Sequence, residues 1–380
     1  MNIKSLLRLV VGWLSVAVIF LQPNLLATFP NTLLAALIFL WLFAVILWSS
    51  FGVVHEAEEI AELLGEPLGT LVLTLSIVII EVALVSAVML GASAAPTLGR
   101  DTMFAVLMIV LNGVVGLGLI VGGMRHREQA YNLQGASAYL SVLVPLTSIA
   151  LILPNFTRST SNGSLTTLQS VSFSVFTIAL YVVFLLLQTG RHKSFFTLPE
   201  KVKANEPAEM KTQTEEDPVM AGKPPTELEG GSVGKHVVLL LLTLLPIVLL
   251  SKGLAKVLDF GIKELNAPAA LGGILIAAIV FTPEGISALK AVAKNDLQRA
   301  LNLCLGAATS TVGLTVPAIL GIGLFTGQQV ILGLAPTEMV LLAMTLLLSA
   351  ITFSNKRTTL LEGAVHLVVF CVYIVLVFSP

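Results

Sequence analysis

Charge is what this chain has least of: only 11% of its 380 residues are Asp, Glu, Lys or Arg, where a soluble domain carries about a quarter. With 56% apolar residues and a mean hydropathy of +0.95, too little polar surface remains to cover a water-exposed fold, which excludes a soluble globular protein. Neither sign of charge dominates. Twenty-one basic against 22 acidic residues leave a net charge of −1, and no basic stripe with interleaved aromatics occurs, so nucleic acid is not a partner. Cysteine is nearly absent. Cys304 and Cys371 both sit in apolar segments and read as small core hydrophobes, which removes a disulfide, a thiolate metal site and redox chemistry. Nothing calls for a cofactor.

What is present is a series of apolar runs. A spanning helix needs roughly 20 apolar residues to cross a hydrocarbon core of about 30 Å. That rule predicts eleven spans, near 6–22, 32–54, 67–90, 102–123, 137–154, 167–188, 236–258, 268–291, 300–324, 337–353 and 359–378. Lys4 and Arg8 before the first run imitate a signal peptide, but no small-x-small cleavage site follows before Pro23, so the run reads as a membrane span. Basic residues favour the cytoplasmic side. Adding Lys and Arg in alternate connections gives 16 against 5 with the N-terminus inside, or 9 against 5 without the long loop. The N-terminus is therefore expected in the cytoplasm. The segment 191–235 holds seven basic and eight acidic residues among few aromatics, the composition of a disordered hydrophilic loop.

An internal repeat organises the rest. "LGTLVLTLSIVIIEVAL" around Glu81 pairs without gaps with "LGGILIAAIVFTPEGIS" around Glu284, Gly69 matching Gly272 and the glutamate following twelve residues later in both. Downstream, "RDTMFAVLMIVLNGVVGLG" parallels "NDLQRALNLCLGAATSTVG" if the first copy carries eight extra residues around Gly91 to Leu98. The helix bearing Glu284 comes five spans after that bearing Glu81, so the copies enter the membrane from opposite sides. The expected fold is all-α and polytopic: an extra N-terminal helix (1–24), a first five-helix repeat (32–190), the hydrophilic loop (191–235) and an inverted second repeat (236–380). Inverted repeats place substrate and coupling-ion sites near the midplane where they meet.

Twelve helical residues rise about 18 Å, which puts each glutamate near the bilayer centre. A carboxylate there costs on the order of 2.5 to 3.5 kcal/mol, and no Lys or Arg lies in either segment to pair with it. A cation or proton is the expected partner. Pro283 lacks an N–H and crowds the carbonyl of Ile279, freeing backbone oxygen beside Glu284. Thr282, Ser287, Thr74, Asn112 and Ser310 add hydroxyls and an amide, although a lone Ser or Thr in a membrane helix equally bonds its own backbone. Carboxylates, hydroxyls, an amide and carbonyls form a hard-oxygen donor set, suited to Ca²⁺ or an alkali cation rather than a soft metal. The stretch "HEAEEIAELLGEP" carries Glu56, Glu58, Glu59 and Glu62 and reads as a solvated amphipathic helix or a cation-attracting cytoplasmic mouth. Glu362 and His366 share a face of the last span and mark a possible proton path.

These segments, with "TPEGISALKAVAKNDLQRALNLCLGAATSTVGLTVP", resemble the calcium/cation antiporter superfamily, most closely its bacterial ChaA-type calcium/proton (sodium/proton) antiporters. The resemblance covers nearly all of spans two to eleven. It implies ten core helices around a midplane site, with Glu81 and Glu284 as alternate ligands of metal ion and protons, and Pro317 matching a family proline seven residues after Ser310. Where many relatives carry an asparagine three positions before each glutamate, this chain has Val78 and Phe281. The expected activity is Ca²⁺/H⁺ exchange in a bacterial inner membrane, with Na⁺(K⁺)/H⁺ exchange at the same site as the alternative. An intramembrane enzyme or a channel is remote, since H-E-x-x-H does not occur and no histidine lies near either glutamate in sequence. Lipid, inorganic cations and protons are then the partners, and the oligomeric state is open.

Overall fold

The computed structural model describes residues 3–26, 29, 31–65, 68–90, 96–160, 162–198, 233–355 and 357–379. Among them the chain is helical almost throughout. Helix α1 spans Ile3–Leu21, α2 Thr32–Leu64, α3 Leu68–Met89, α4 Leu98–Leu107, α5 Val115–His126, α6 Leu133–Thr147 and α7 Thr167–Thr189. After the hydrophilic segment come α8 Val233–Glu264, α9 Ala270–Ala293, α10 Leu297–Ser310, α11 Val316–Thr326, α12 Pro336–Thr352 and α13 Leu360–Phe378. Helices α4 and α5 form one span joined by a π-helical segment, Met108–Val114, and α10 and α11 another joined by Thr311–Thr315.

Ten helical stretches are long and apolar enough to cross a membrane, and Pro336–Thr352 is a shorter apolar helix. The tenth predicted span, 337–353, is thus about one turn short of the usual length. Two others run past their predicted ends: α2 continues to Leu64 and α8 to Glu264, each about 50 Å long at 1.5 Å per residue. Hydropathy ends a span at its first charges, whereas backbone hydrogen bonding carries the helix on through Glu56 to Glu62. The predicted span 137–154 lies within one helical stretch, Leu133–Phe156, whose type of turn changes along its length. Pro145 and Pro154 bracket a π segment, Ser148–Ile152, followed by a 3₁₀ turn, Leu153–Phe156.

Helices α2 and α8 lie along each other, and both touch α3 and α9, the helices of the two glutamates. The extra helix α1 clasps this pair from outside, with Trp13 Nε1 donating to the Leu242 carbonyl at 3.0 Å. On the far side α5 crosses α13, and α11 crosses α7. An antiparallel pair, Gln129–Ala130 with Arg357–Thr358, ties the connection before α6 to that before α13. Of the hydrophilic loop, a short 3₁₀ helix Lys193–Phe196 is described, with Phe196 buried against Tyr139 and Phe184. Residues 199–232 lie outside the described residues.

Helix α9 is pressed onto α4. A Cβ at Gly273 would stand 2.6 Å from the Thr102 nitrogen and 2.7 Å from the Asp101 carbonyl carbon, both backbone atoms that cannot step aside. Gly273→Ala therefore has to push α9 away from α4, a cost of about 1–3 kcal/mol. The expected outcome is a lower midpoint of thermal unfolding in detergent, with Gly261→Ala, which meets nothing within 4 Å, close to the parent protein.

Candidate functional site

Glu81 lies on α3, fully buried. Its Oε2 accepts hydrogen bonds from Thr311 Oγ1 at 3.1 Å and Thr315 Oγ1 at 3.0 Å, while Oε1 has no partner among the described residues. Both threonines belong to the π segment between α10 and α11. Pro317, two residues after that segment, has no N–H and crowds the carbonyl of Gly313, and at this point the helix widens. Placed four apart, the two hydroxyls address the same carboxylate oxygen.

Glu284, on α9, is also buried, but neither of its oxygens reaches a partner on another described residue. The charges of Glu81 and Glu58 both act on it, and Cys304 is close enough to feel its charge. The helix carrying Asn112 walls it in: a Cβ on Gly285 would contact Val114 Cγ2 at 3.4 Å. Two carboxylates thus occupy the helix-packed interior at opposite halves of the chain, one answered by hydroxyls and the other unanswered. Among the described residues no group of three or more His, Cys, Asp and Glu side chains forms a metal cage, so a cation here would have to take hydroxyl and carbonyl oxygen as well.

The remaining predicted residues divide. Thr282 Oγ1 donates to the Ala278 carbonyl and Ser310 Oγ to that of Ala307, so both protons stay within their own helices. Their oxygen lone pairs are still able to face a cation. Thr74 lies near the Tyr181 side chain, and Ser287 is half-buried one turn beyond Glu284. Asn112, fully buried, spends its amide elsewhere, donating to Thr345 Oγ1 at 2.8 Å and facing His366 Nδ1 with Oδ1 at 3.1 Å. Val78 and Phe281, in place of amides, are both buried.

The acidic stretch is not a uniformly solvated mouth. Glu56 is buried and bonds His236 Nδ1 of α8 at 2.8 Å, with Arg8 of α1 within reach of its charge. Glu58 and Glu59 are half-buried, and Glu62 alone of the four is exposed. The reason is the length of α2: its last turns still pack on α8, so one face of the acidic stretch points inward. Glu362 is a helix cap, accepting from Thr359 N at 2.7 Å and also bonded to the Thr359 hydroxyl, and is not joined to His366.

Thr311 and Thr315 are the residues that sequence reasoning passed over, Thr311 as packing and Thr315 unnamed. A signal existed. The two π segments start 27 residues after Glu81 and 27 after Glu284, so the second helices pair without the eight-residue insertion. That register sets Asn112 against Thr315, and Val114 against Pro317.

The sodium/calcium exchanger protein family matches residues 34–190 and 235–379. The putative ionic transporter y4hA of Sinorhizobium fredii (strain NBRC 101917 / NGR234) is 40% identical over 331 residues, covering 87% of this chain and 85% of that protein. The sodium-potassium/proton antiporter ChaA of Escherichia coli (strain K12) is 38% identical over 334 residues, covering 88% and 87%. Among solved structures, native YfkE aligns with a TM-score of 0.69 at 16% identity over 98% of this chain and 100% of that one. The H⁺/Ca²⁺ exchanger CAX aligns at 0.65 and 14% identity over 98% and 89%. These two share the fold described above.

Replacing Thr311 and Thr315 by valine keeps shape and removes the donors from Glu81. A buried acceptor that loses its donors costs about 1–3 kcal/mol, so the double variant should unfold at lower temperature in detergent, and the same pair of changes in a Glu81→Gln background should cost less.

Proposed function

The chain belongs to the sodium/calcium exchanger protein family, and from that premise we propose that it is a secondary antiporter exchanging an inorganic cation for protons at Glu81 and Glu284. The reading rests on Glu284, a buried carboxylate whose oxygens have no hydrogen-bond or basic partner among the side chains of the other described residues. Such a group is stable only when a proton or a cation neutralises it, and exchange is the alternation of the two. Protons replace the cation as it leaves, so neither loaded state strands bare carboxylates in a low-dielectric interior.

Ca²⁺ is the first reading of the cation, because one divalent ion balances two carboxylates as two protons do. The oxygen set, carboxylates with Thr282, Ser287, Ser310 and the hydroxyls of Thr311 and Thr315, is of the hard type such an ion takes. Na⁺ or K⁺ is the second reading, favoured by the 38% identical relative being a sodium-potassium/proton antiporter and by Val78 and Phe281 standing where amide ligands are otherwise expected. The two halves, 32–190 and 233–379, act as opposed repeats around the site. The long helices α2 and α8, which pack on each other and on both glutamate helices, are the elements able to rearrange around a fixed site in alternating access. The protein works in a bacterial inner membrane with its N-terminus in the cytoplasm, and Glu62 and the half-buried Glu58 and Glu59 attract cations at that face.

Purified protein in proteoliposomes with an acidic lumen should alkalinise that lumen when Ca²⁺ is added outside, and Glu81→Gln and Glu284→Gln should each reduce the signal to that of empty vesicles. Response to Na⁺ or K⁺ but not to Ca²⁺ selects the second reading. Undiminished flux from either glutamine variant overturns the assignment.

A further inference from the structure

Of the three π segments among the described residues, two have a proline immediately downstream. Ser148–Ile152 is followed by Pro154 and Thr311–Thr315 by Pro317. The third, Met108–Val114, has none: no proline occurs between Pro96 and Pro145, and Val114 occupies the position matching Pro317. A widened turn is unfavourable in an otherwise regular helix and appears where something holds it. Around this segment the only described candidate is a side-chain network from α12 and α13.

The network is buried throughout, with Asn112, Thr345 and His366 at 0% exposure and Thr352 at 1%. Asn112 Nδ2 donates to Thr345 Oγ1 at 2.8 Å, which turns Oδ1 toward His366 Nδ1 at 3.1 Å. That nitrogen therefore carries the proton, and Nε2 accepts from Thr352 Oγ1 at 3.0 Å. The Val115 N–H, which in a regular α-helix would serve the Leu111 carbonyl, goes instead to Val110 and Asn112, so the turn widens at the residue whose side chain His366 holds. The crossing is close: a Cβ on Gly116 would stand 3.0 Å from His366 Cβ and 2.9 Å from the Leu367 nitrogen.

We propose that His366 is a positioning residue for the exchange site: it holds the proline-free π segment by binding Asn112, and so fixes the wall, ending at Val114, that packs on Gly285 beside Glu284. In the other half a proline does this work and the π-segment hydroxyls are free to address Glu81. Here a histidine from α13 does it, and the amide is spent on the clamp. The inference rests on the reading of Glu284 as an exchange ligand.

The test uses the full-length protein in proteoliposomes, with flux measured against the concentration of the driving cation. His366→Ala should raise the half-saturating cation concentration about tenfold, the size expected for losing a buried hydrogen bond, with the maximal rate changed by less than about twofold. His366→Gln, whose amide can donate to Asn112 and accept from Thr352, should restore the half-saturating concentration to within about threefold of the parent value. Asn112→Ala should reproduce the shift even if His366→Ala fails to fold, and the double alanine variant should be no worse than either single one. A parent-like half-saturating concentration in the alanine variants, a loss confined to maximal rate, additive effects, or failure of glutamine to rescue overturns the proposal while Glu284→Gln remains inactive. Activity retained by Glu284→Gln removes the exchange reading itself, and the positioning role with it.

Discussion

A carboxylate inside a helix bundle of membrane thickness has to be neutralised from within the protein, because neither lipid nor a basic side chain is there to do it. Much of the structure follows from how Glu81 and Glu284 meet that requirement. Glu81 takes two threonine hydroxyls on one oxygen, supplied by the opposite half of the chain. Glu284 takes nothing from another described residue. The two positions align in sequence but differ in their surroundings, one bonded by hydroxyls and one without a partner on another described residue.

The irregular turns are what make this arrangement possible. In an unbroken α-helix every backbone group is used internally, and side chains follow one fixed spiral. At Thr311–Thr315 the spiral widens next to Pro317, and two hydroxyls face one glutamate. At Met108–Val114 it widens without a proline, under the hold of Asn112, His366, Thr345 and Thr352. The two halves therefore reach the same backbone shape by different chemistry, which is consistent with repeats that have diverged in sequence while keeping the register of 27 residues between glutamate and π segment.

The membrane character, the number of helices and the pair of glutamates were legible because each depends on local composition or on spacing along one helix. Apolar length predicts a span wherever it is uninterrupted, so α3, α7 and α13 appear close to their expected places. It misjudged α2 and α8, whose ends are charged yet remain helical because they pack on each other. It is silent on the change of helical turn along 148–156, between Pro145 and the 3₁₀ turn that holds Pro154. The acidic run from Glu56 to Glu62 looked uniform in sequence, but the inward face of α2 buries Glu56 against His236 and leaves Glu62 in the open.

The sequence by itself determined that this is a polytopic helical membrane protein of a cation-exchanger family, and singled out Glu81 and Glu284, because hydropathy and repeat spacing are properties of the chain read one residue at a time. Only the tertiary structure decided which groups answer those carboxylates. Thr311 and Thr315 lie more than 200 residues from Glu81, and His366 lies 254 from Asn112. Contacts at such separation depend on how helices cross, on close approaches at Gly116, Gly273 and Gly363, and on where a helix widens by one residue. None of these is set by the local pattern of apolar and polar residues.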